Sequence, residues 1–154
     1  MSIEVYTDGS YTKKGKIEYC GYGIYFPNGE YKNIGRKFTH EPITNNRAEL
    51  YALQKTILIC NIIYNENDKY KNNKNFCVNI YSDSEYSVKT INIWYKNWIK
   101  TKKEYLNADI IDKIMDLISK SPFKINITHC NSHIGIHGNE MADKLAKKGA
   151  FREN

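Results

Sequence analysis

Four acidic residues stand where a backbone could aim them at one point. Asp8 and Asp83 follow short alternating apolar runs, in Asp8-Gly9-Ser10 and Ser82-Asp83-Ser84, while Glu49 and Asp143 fall near the starts of helical patterns. Each acid has a structural explanation of its own. Asp8 beside Gly9 can open a turn, Asn46 three residues before Glu49 has capping-box spacing, and Asp143 suits a helix N-terminus. In a mixed sheet, however, strand ends and helix starts can meet at one edge. Four carboxylates gathered there repel one another unless a cation lies between them. Hard divalent ions with oxygen ligands, Mg²⁺ or Mn²⁺, suit that set. Two such ions about 4 Å apart would activate a water and stabilise the leaving oxygen of a phosphodiester.

Two stretches surround these acids with other polar groups. Thr44-Asn45-Asn46-Arg47-Ala48-Glu49 passes from turn residues into a helix that the spacing of Leu50, Leu53 and Ile57 starts near Asn46. Asn45 and Asn46 could present amides to a polar ligand. Nearer the C-terminus, His129, His133 and His137 stand four apart, which on a helix would make a zinc face. Gly135 and Gly138 argue for a loop there instead, with Asn139 capping the last helix and Leu145 and Ala146 facing inward. Thr12-Lys13-Lys14-Gly15-Lys16 only looks like a phosphate loop. Gly9 and Gly15 are one residue too far apart, and Ile17 replaces the required hydroxyl.

The elements that must position these residues follow from periodicity. Ile3, Val5 and Thr7 alternate in a first strand ending at Asp8-Gly9-Ser10. Strands over 19–26 and 31–38 are joined by Pro27-Asn28-Gly29, a hairpin signal. A helix from about Asn46 reaches the low seventies, where 65–75 is polar and Lys- and Asn-rich. Phe76, Val78 and Ile80 mark a fourth strand, and Ile91, Trp94, Tyr95 and Trp98 a second helical stripe. The stripe assigns Trp94 to the core. Trp98, beside Lys96, Lys100, Lys102 and Lys103, is assigned to a nucleic-acid groove. A third helix over 108–119, a break at Pro122 and a fifth strand over 123–128 precede the final helix. The class is α/β: a mixed sheet with helices on its faces, in one domain spanning 1–154.

Charge and cysteine usage narrow the setting. A net charge of +6 and a pI near 9.0 favour an anionic partner, with nucleic acid first. Cys20, Cys60, Cys77 and Cys130 form no CxxC pair and read as separate thiols in a reducing compartment. Met1-Ser2-Ile3-Glu4 has no signal-peptide core, and the apolar run 57–63 is too short to span a bilayer. An intracellular protein of the cytoplasm or nucleus, without a membrane, is expected.

Taken together, Tyr6-Thr7-Asp8-Gly9-Ser10, Thr44 through Glu49, Ser82-Asp83-Ser84, and His133 through Asp143 with Gly138-Asn139-Glu140 resemble type 1 ribonuclease H in order and interval. The resemblance runs from near residue 3 to about 150. It implies a five-stranded ribonuclease H-like sheet in the order 3-2-1-4-5. It also implies Asp8, Glu49, Asp83 and Asp143 as ligands of two Mg²⁺ ions, with Mn²⁺ able to substitute. His133 matches a loop histidine that moves a proton or assists product release, and Glu140 a nearby acid linked to metal movement. The implied reaction is endonucleolytic cleavage of the RNA strand of an RNA–DNA hybrid, leaving 3′-hydroxyl and 5′-phosphate ends. A monomeric enzyme of this kind senses the 2′-hydroxyl of one strand. By the same resemblance Gly9, Ser10, Asn139 and Glu85 lie along the substrate, and Asn45 and Asn46 in its minor groove. Thr44 and Asn107 belong to a DNA-phosphate pocket, and Tyr86 and Trp98 to a DNA channel. The chain departs from the pattern where Glu85 replaces an uncharged residue and Pro42 a basic one. The basic segment between Trp98 and Asn107 is also short, and no separate hybrid-binding domain precedes the motifs. A resolvase- or integrase-like nuclease of the same fold and a non-catalytic hybrid-binding module are the competing expectations.

Overall fold

The computed structural model describes residues 1–132 and 135–152. The central strand β1 (Ser2–Lys14) is shared between two partners along its length. Its first half pairs parallel with β4 (Cys77–Ser82), from Ser2↔Cys77 to Thr7↔Ser82. Its second half pairs antiparallel with β2 (Ile17–Tyr25), from Tyr6↔Tyr25 to Lys14↔Ile17. The exchange of partners takes place at Tyr6 and Thr7, immediately before Asp8. The sequence expectation that the strand ends at Asp8 is therefore corrected: the pairing with β4 ends there, and the backbone runs on into a hairpin. Its turn holds Gly15 at a φ of +63°, so the residues that mimic a phosphate loop are a hairpin tip.

With β3 (Ile34–Lys37) and β5 (Lys124–His129) at the edges, the sheet has the order 3-2-1-4-5 that the resemblance implies. Ile3 and Val5 are fully buried on one face of β1 against α1 (Asn45–Glu66), while Tyr6 on the other face meets α6 (His137–Ala150). The α1 face carries the core: Leu50, Leu53 and Ile57 pack with Ile80 and with Ile111 and Ile114 of α5 (Ala108–Lys120), all at 0% exposure. Between these elements lie the short α2 (Asp68–Lys71), α3 (Glu85–Lys89) and α4 (Tyr95–Lys100).

The helical stripe around Trp94 is interrupted by a π-helical turn, Thr90–Trp94, between α3 and α4. Such a turn adds a residue and rotates the surface that follows. Trp94 is consequently half-buried and not in the core, a second correction. Trp98 packs against the core edge and stacks on Tyr105, with ring centroids 5.1 Å apart and planes 14° from parallel.

On the opposite face, α6 lies almost directly on the sheet. A Cβ on Gly23 would fall 2.3 Å from the Ala142 carbonyl oxygen, and one on Gly21 2.2 Å from the Ala150 amide nitrogen. Both strand positions must therefore be glycine for the helix to dock at this height. The helix begins at His137 with Ile136 as its cap and no side-chain capping bond. Asn139 is thus a buried residue of the first turn, not the cap, and Gly138 is helical too, its lack of a side chain letting the helix seat against the Tyr6 ring. Among the described residues no helix is long and apolar enough to cross a membrane, and the four cysteines are unpaired.

Candidate active site

Thr44 caps α1, its hydroxyl accepting a hydrogen bond from the Arg47 amide at 3.1 Å. Asn46 therefore makes no capping box, and Glu49 is left free to turn inward. The Glu49 carboxylate accepts a hydrogen bond from the Gly9 amide of β1. The same amide donates to Asp8 Oδ1 at 2.9 Å. Gly9 has no room for a side chain, since its Cβ would lie 2.8 Å from both the amide nitrogen and Oε1 of Glu49. Asp83 follows the last residue of β4, and the Thr7↔Ser82 register sets it beside Asp8. One carboxylate oxygen from each of Asp8, Glu49 and Asp83 lies within 4.8 Å of the others.

Asp8 and Glu49 are only 5% and 4% exposed, so their charges face little water. Burial, then the facing Glu49 carboxylate, pushes Asp8 up to about 11. Burial, with Asp83 adding to it, pushes Glu49 up to about 7, although hydrogen bonding to Asp8 and Gly9 pulls it back. The pair holds a proton at neutral pH, because the two charges cannot both be carried without a counter-ion. Among the described residues the donors are carboxylate oxygens alone, two of them buried, a set that fits a hard divalent cation. A cation there would relieve the repulsion that their closeness and burial impose.

These three carboxylates form the floor of a cleft of about 660 Å³, lined also by Asn45, Asn46, Glu85, Asn139, Glu140 and Asp143. Asp143 lies in the second turn of α6 rather than the first, outside the 4.8 Å cluster, with Lys147 Nζ 2.9 Å from its Oδ2. Glu140 is exposed at the rim, and Ser10 lies on β1 two residues beyond Asp8. Asn45 and Asn46 are exposed at the start of α1. Glu85 is exposed at the start of α3 and pairs with Lys89. His133 falls outside the described residues. Asn107, with a left-handed φ of 63°, donates through Nδ2 to the Tyr86 hydroxyl at 2.9 Å. Tyr86 and Trp98 share a shallow pocket with Tyr105 and Leu106.

Three participants escaped the sequence reading. Arg47 is buried beneath the Thr44–Asn107 region, with two 2.8 Å bonds to Asp109 and a 3.2 Å bond to the Glu41 carbonyl. It ties α1 to α5, and a lone Arg in a helix gave no signal of this. Cys130 lies close enough to feel Asp83 and Asp8, and its thiol, pushed up to about 11 chiefly by burial, faces Asn139 Oδ1 at 3.8 Å. Ser132 lines the cleft. The one sequence signal for the close packing of α6 is the pair of glycines two apart in β2, Gly21 and Gly23, since such spacing inside a strand marks a close backbone approach.

Comparison with known proteins places these features. The profile of a family described as RNase H matches residues 1–151. Ribonuclease H of Schizosaccharomyces pombe is 33% identical over 153 residues, covering 95% of this chain and 52% of the relative. Ribonuclease H of Pseudomonas putida strain W619 is 31% identical over 157 residues, covering 96% of this chain and 93% of the relative. The chain spans about half the length of the fungal and mammalian relatives it matches. Among solved structures, a foamy viral protease-reverse transcriptase in complex with RNA/DNA hybrid superposes with a TM-score of 0.72. It is 22% identical and covers 97% of this chain and 20% of the viral one.

Proposed function

The chain belongs to the RNase H family, a family that uses divalent metal ions, and from that premise we propose that it hydrolyses the RNA strand of RNA–DNA hybrids. Cleavage is endonucleolytic and leaves 5′-phosphate and 3′-hydroxyl ends. The observation that carries this reading is the convergence of Asp8, Glu49 and Asp83 within 4.8 Å in an open cleft. A pure binding module has no use for buried negative charge beside phosphates.

Asp8, Glu49 and Asp83 would hold Mg²⁺, with Asp143 contributing from the α6 side and two ions per site; Mn²⁺ would substitute. When bound, the ions neutralise the clustered charge and stabilise the oxygens of the phosphodiester. The protein's own residues do the rest. The Gly9 amide orients two of the carboxylates, and burial of Asp8 and Glu49 excludes water from their inner sides. Asn45 and Asn46 reach the minor groove from the cleft mouth, where a 2′-hydroxyl distinguishes RNA from DNA. Gly9, Ser10, Glu85 and Asn139 border the RNA strand. Thr44 and Asn107 receive a DNA phosphate, held in place by the Arg47–Asp109 tie, and Tyr86 and Trp98 lie along the DNA strand. His133 moves a proton to or from the departing product, and Glu140 at the rim assists its release. The chain acts as a single catalytic domain and as a monomer, in a reducing intracellular compartment.

Cleavage of an end-labelled hybrid in Mg²⁺, with wild type against Asp8→Asn, tests the reading. RNA-strand cleavage abolished by the substitution, with duplex DNA and duplex RNA left intact, is expected. Cleavage of duplex DNA would point to a resolvase-like enzyme. Binding of the hybrid without cleavage in Mg²⁺ or Mn²⁺ would refute catalysis.

A further inference from the structure

The close docking of α6 on the sheet edge brings two distant segments together at the helix's far end, and both are basic. Lys32 from the β2–β3 connection, Arg36 of β3, Lys148 of α6 and Arg152 just beyond it line one pocket of about 250 Å³. A Cβ on Gly149 would lie 2.4 Å from the Arg36 amide nitrogen, so the two backbones touch and their side chains fan around a shared hollow. All four cations are exposed, no carboxylate lines the pocket, and none of the four belongs to an ion pair among the described residues. Lys148 also lies in the last turn of α6 and offsets its dipole. Lys32 and Arg36 come from another part of the chain and have no such task.

Four cations around one concavity repel each other until an anion with several oxygens enters. Guanidinium groups favour phosphate through paired hydrogen bonds. Position indicates which phosphate. Asp8, Gly23 and Gly35 stand in one cross-strand row, Asp8↔Gly23 and Gly23↔Gly35. Gly35 lines the pocket, two strand spacings from Asp8, or about 10 Å across the sheet. That distance is roughly three base-pair steps of a duplex.

We propose that the pocket between β3 and the end of α6 is a subsite for a nucleic-acid phosphate backbone outside the catalytic cleft. It engages the backbone about three base-pair steps from Asp8, and supplies affinity that the short basic segment after Trp98 does not. The proposal rests on the hybrid reading above.

The test follows anisotropy of a labelled hybrid of about 15 base pairs, which spans cleft and pocket, over a salt series in the Asp8→Asn background so that no cleavage intervenes. Arg36→Ala/Lys148→Ala is expected to weaken the hybrid roughly ten-fold at low salt and to flatten its log–log salt slope by about 1 to 2. Arg36→Lys/Lys148→Arg retains binding. Lys69→Ala/Lys74→Ala removes the same charge elsewhere and leaves binding unaffected. Should the first variant fold poorly, Lys32→Ala/Arg152→Ala reads the same contact from residues outside regular structure. An equal loss from the Lys69/Lys74 variant, or unchanged binding in the Arg36/Lys148 variant, would overturn the subsite. Failure of the catalytic reading shows separately, as absence of cleavage of the same hybrid by wild type.

Discussion

Replacing Asp8 by asparagine removes the carboxylate on which the repulsion in the cleft converges, and without metal it should stabilise the protein while abolishing cleavage. The amide keeps an Oδ1 for the Gly9 hydrogen bond, so the local geometry has no reason to collapse. Two like charges held within 4.8 Å cost about 3.5 kcal/mol at an effective dielectric near 20. The protein can avoid that cost by keeping a proton on Asp8. Holding a proton at pH 7 on a group whose ordinary value is 3.8 costs about 4 kcal/mol. The two routes cost similar amounts, so relaxation and water entry leave a gain of about 1–3 kcal/mol for Asp8→Asn. For a chain of this size that is roughly 3–10 °C in Tm. The pH dependence has a definite sign. Asp8 is raised in the folded state, so the wild-type penalty is absent below about 3.8 and grows as pH rises above it. Thermal unfolding in chelator should therefore show the variant above wild type at pH 7 and level with it near pH 4. Adding Mg²⁺ should raise wild type and leave the variant nearly unmoved, because the proposed ligand set is complete only in wild type. A variant no more stable than wild type at pH 7 without metal would refute the argument that these carboxylates are mutually strained.

Other outcomes follow from the same geometry. Gly23→Ala, whose Cβ would meet the Ala142 carbonyl at 2.3 Å, should lower stability by about 1–3 kcal/mol in chemical denaturation. Cleavage by the folded fraction should fall as well, because α6 also carries Asp143; unchanged cleavage would separate helix docking from the site. The Arg47 guanidinium holds Asp109 down to about 2, so their pairing contributes above the ordinary value of 3.8 and is lost as pH falls toward about 2. Asp109→Asn should then flatten the acid limb of the stability profile, and an unchanged limb would assign acid unfolding elsewhere. Trp98→Ala should raise KM for the hybrid roughly ten-fold through lost stacking, with a smaller change in kcat. A loss confined to kcat would instead place Trp98 nearer the chemistry.

Residue order alone indicates which residues could converge, and carries the alternation that builds the strands. Asp8, Glu49 and Asp83 were legible because each sits where an apolar pattern changes, at a sheet partner exchange, a helix start and a strand end. The five strands and long helices were legible for the same reason, since burial of one face imposes a period. Heights and angles were not, because they depend on contacts between segments far apart in the chain. Only the tertiary structure showed that β1 continues past Asp8, because two different neighbours hold its two halves. It also moved Trp94 out of the core through a π-helical turn. The glycines at 21 and 23 let α6 descend onto the sheet, which placed Asp143 in the cleft but outside the tight cluster of three. Local preference is written residue by residue, whereas the distance between two carboxylates is the outcome of every packing contact that separates their backbones.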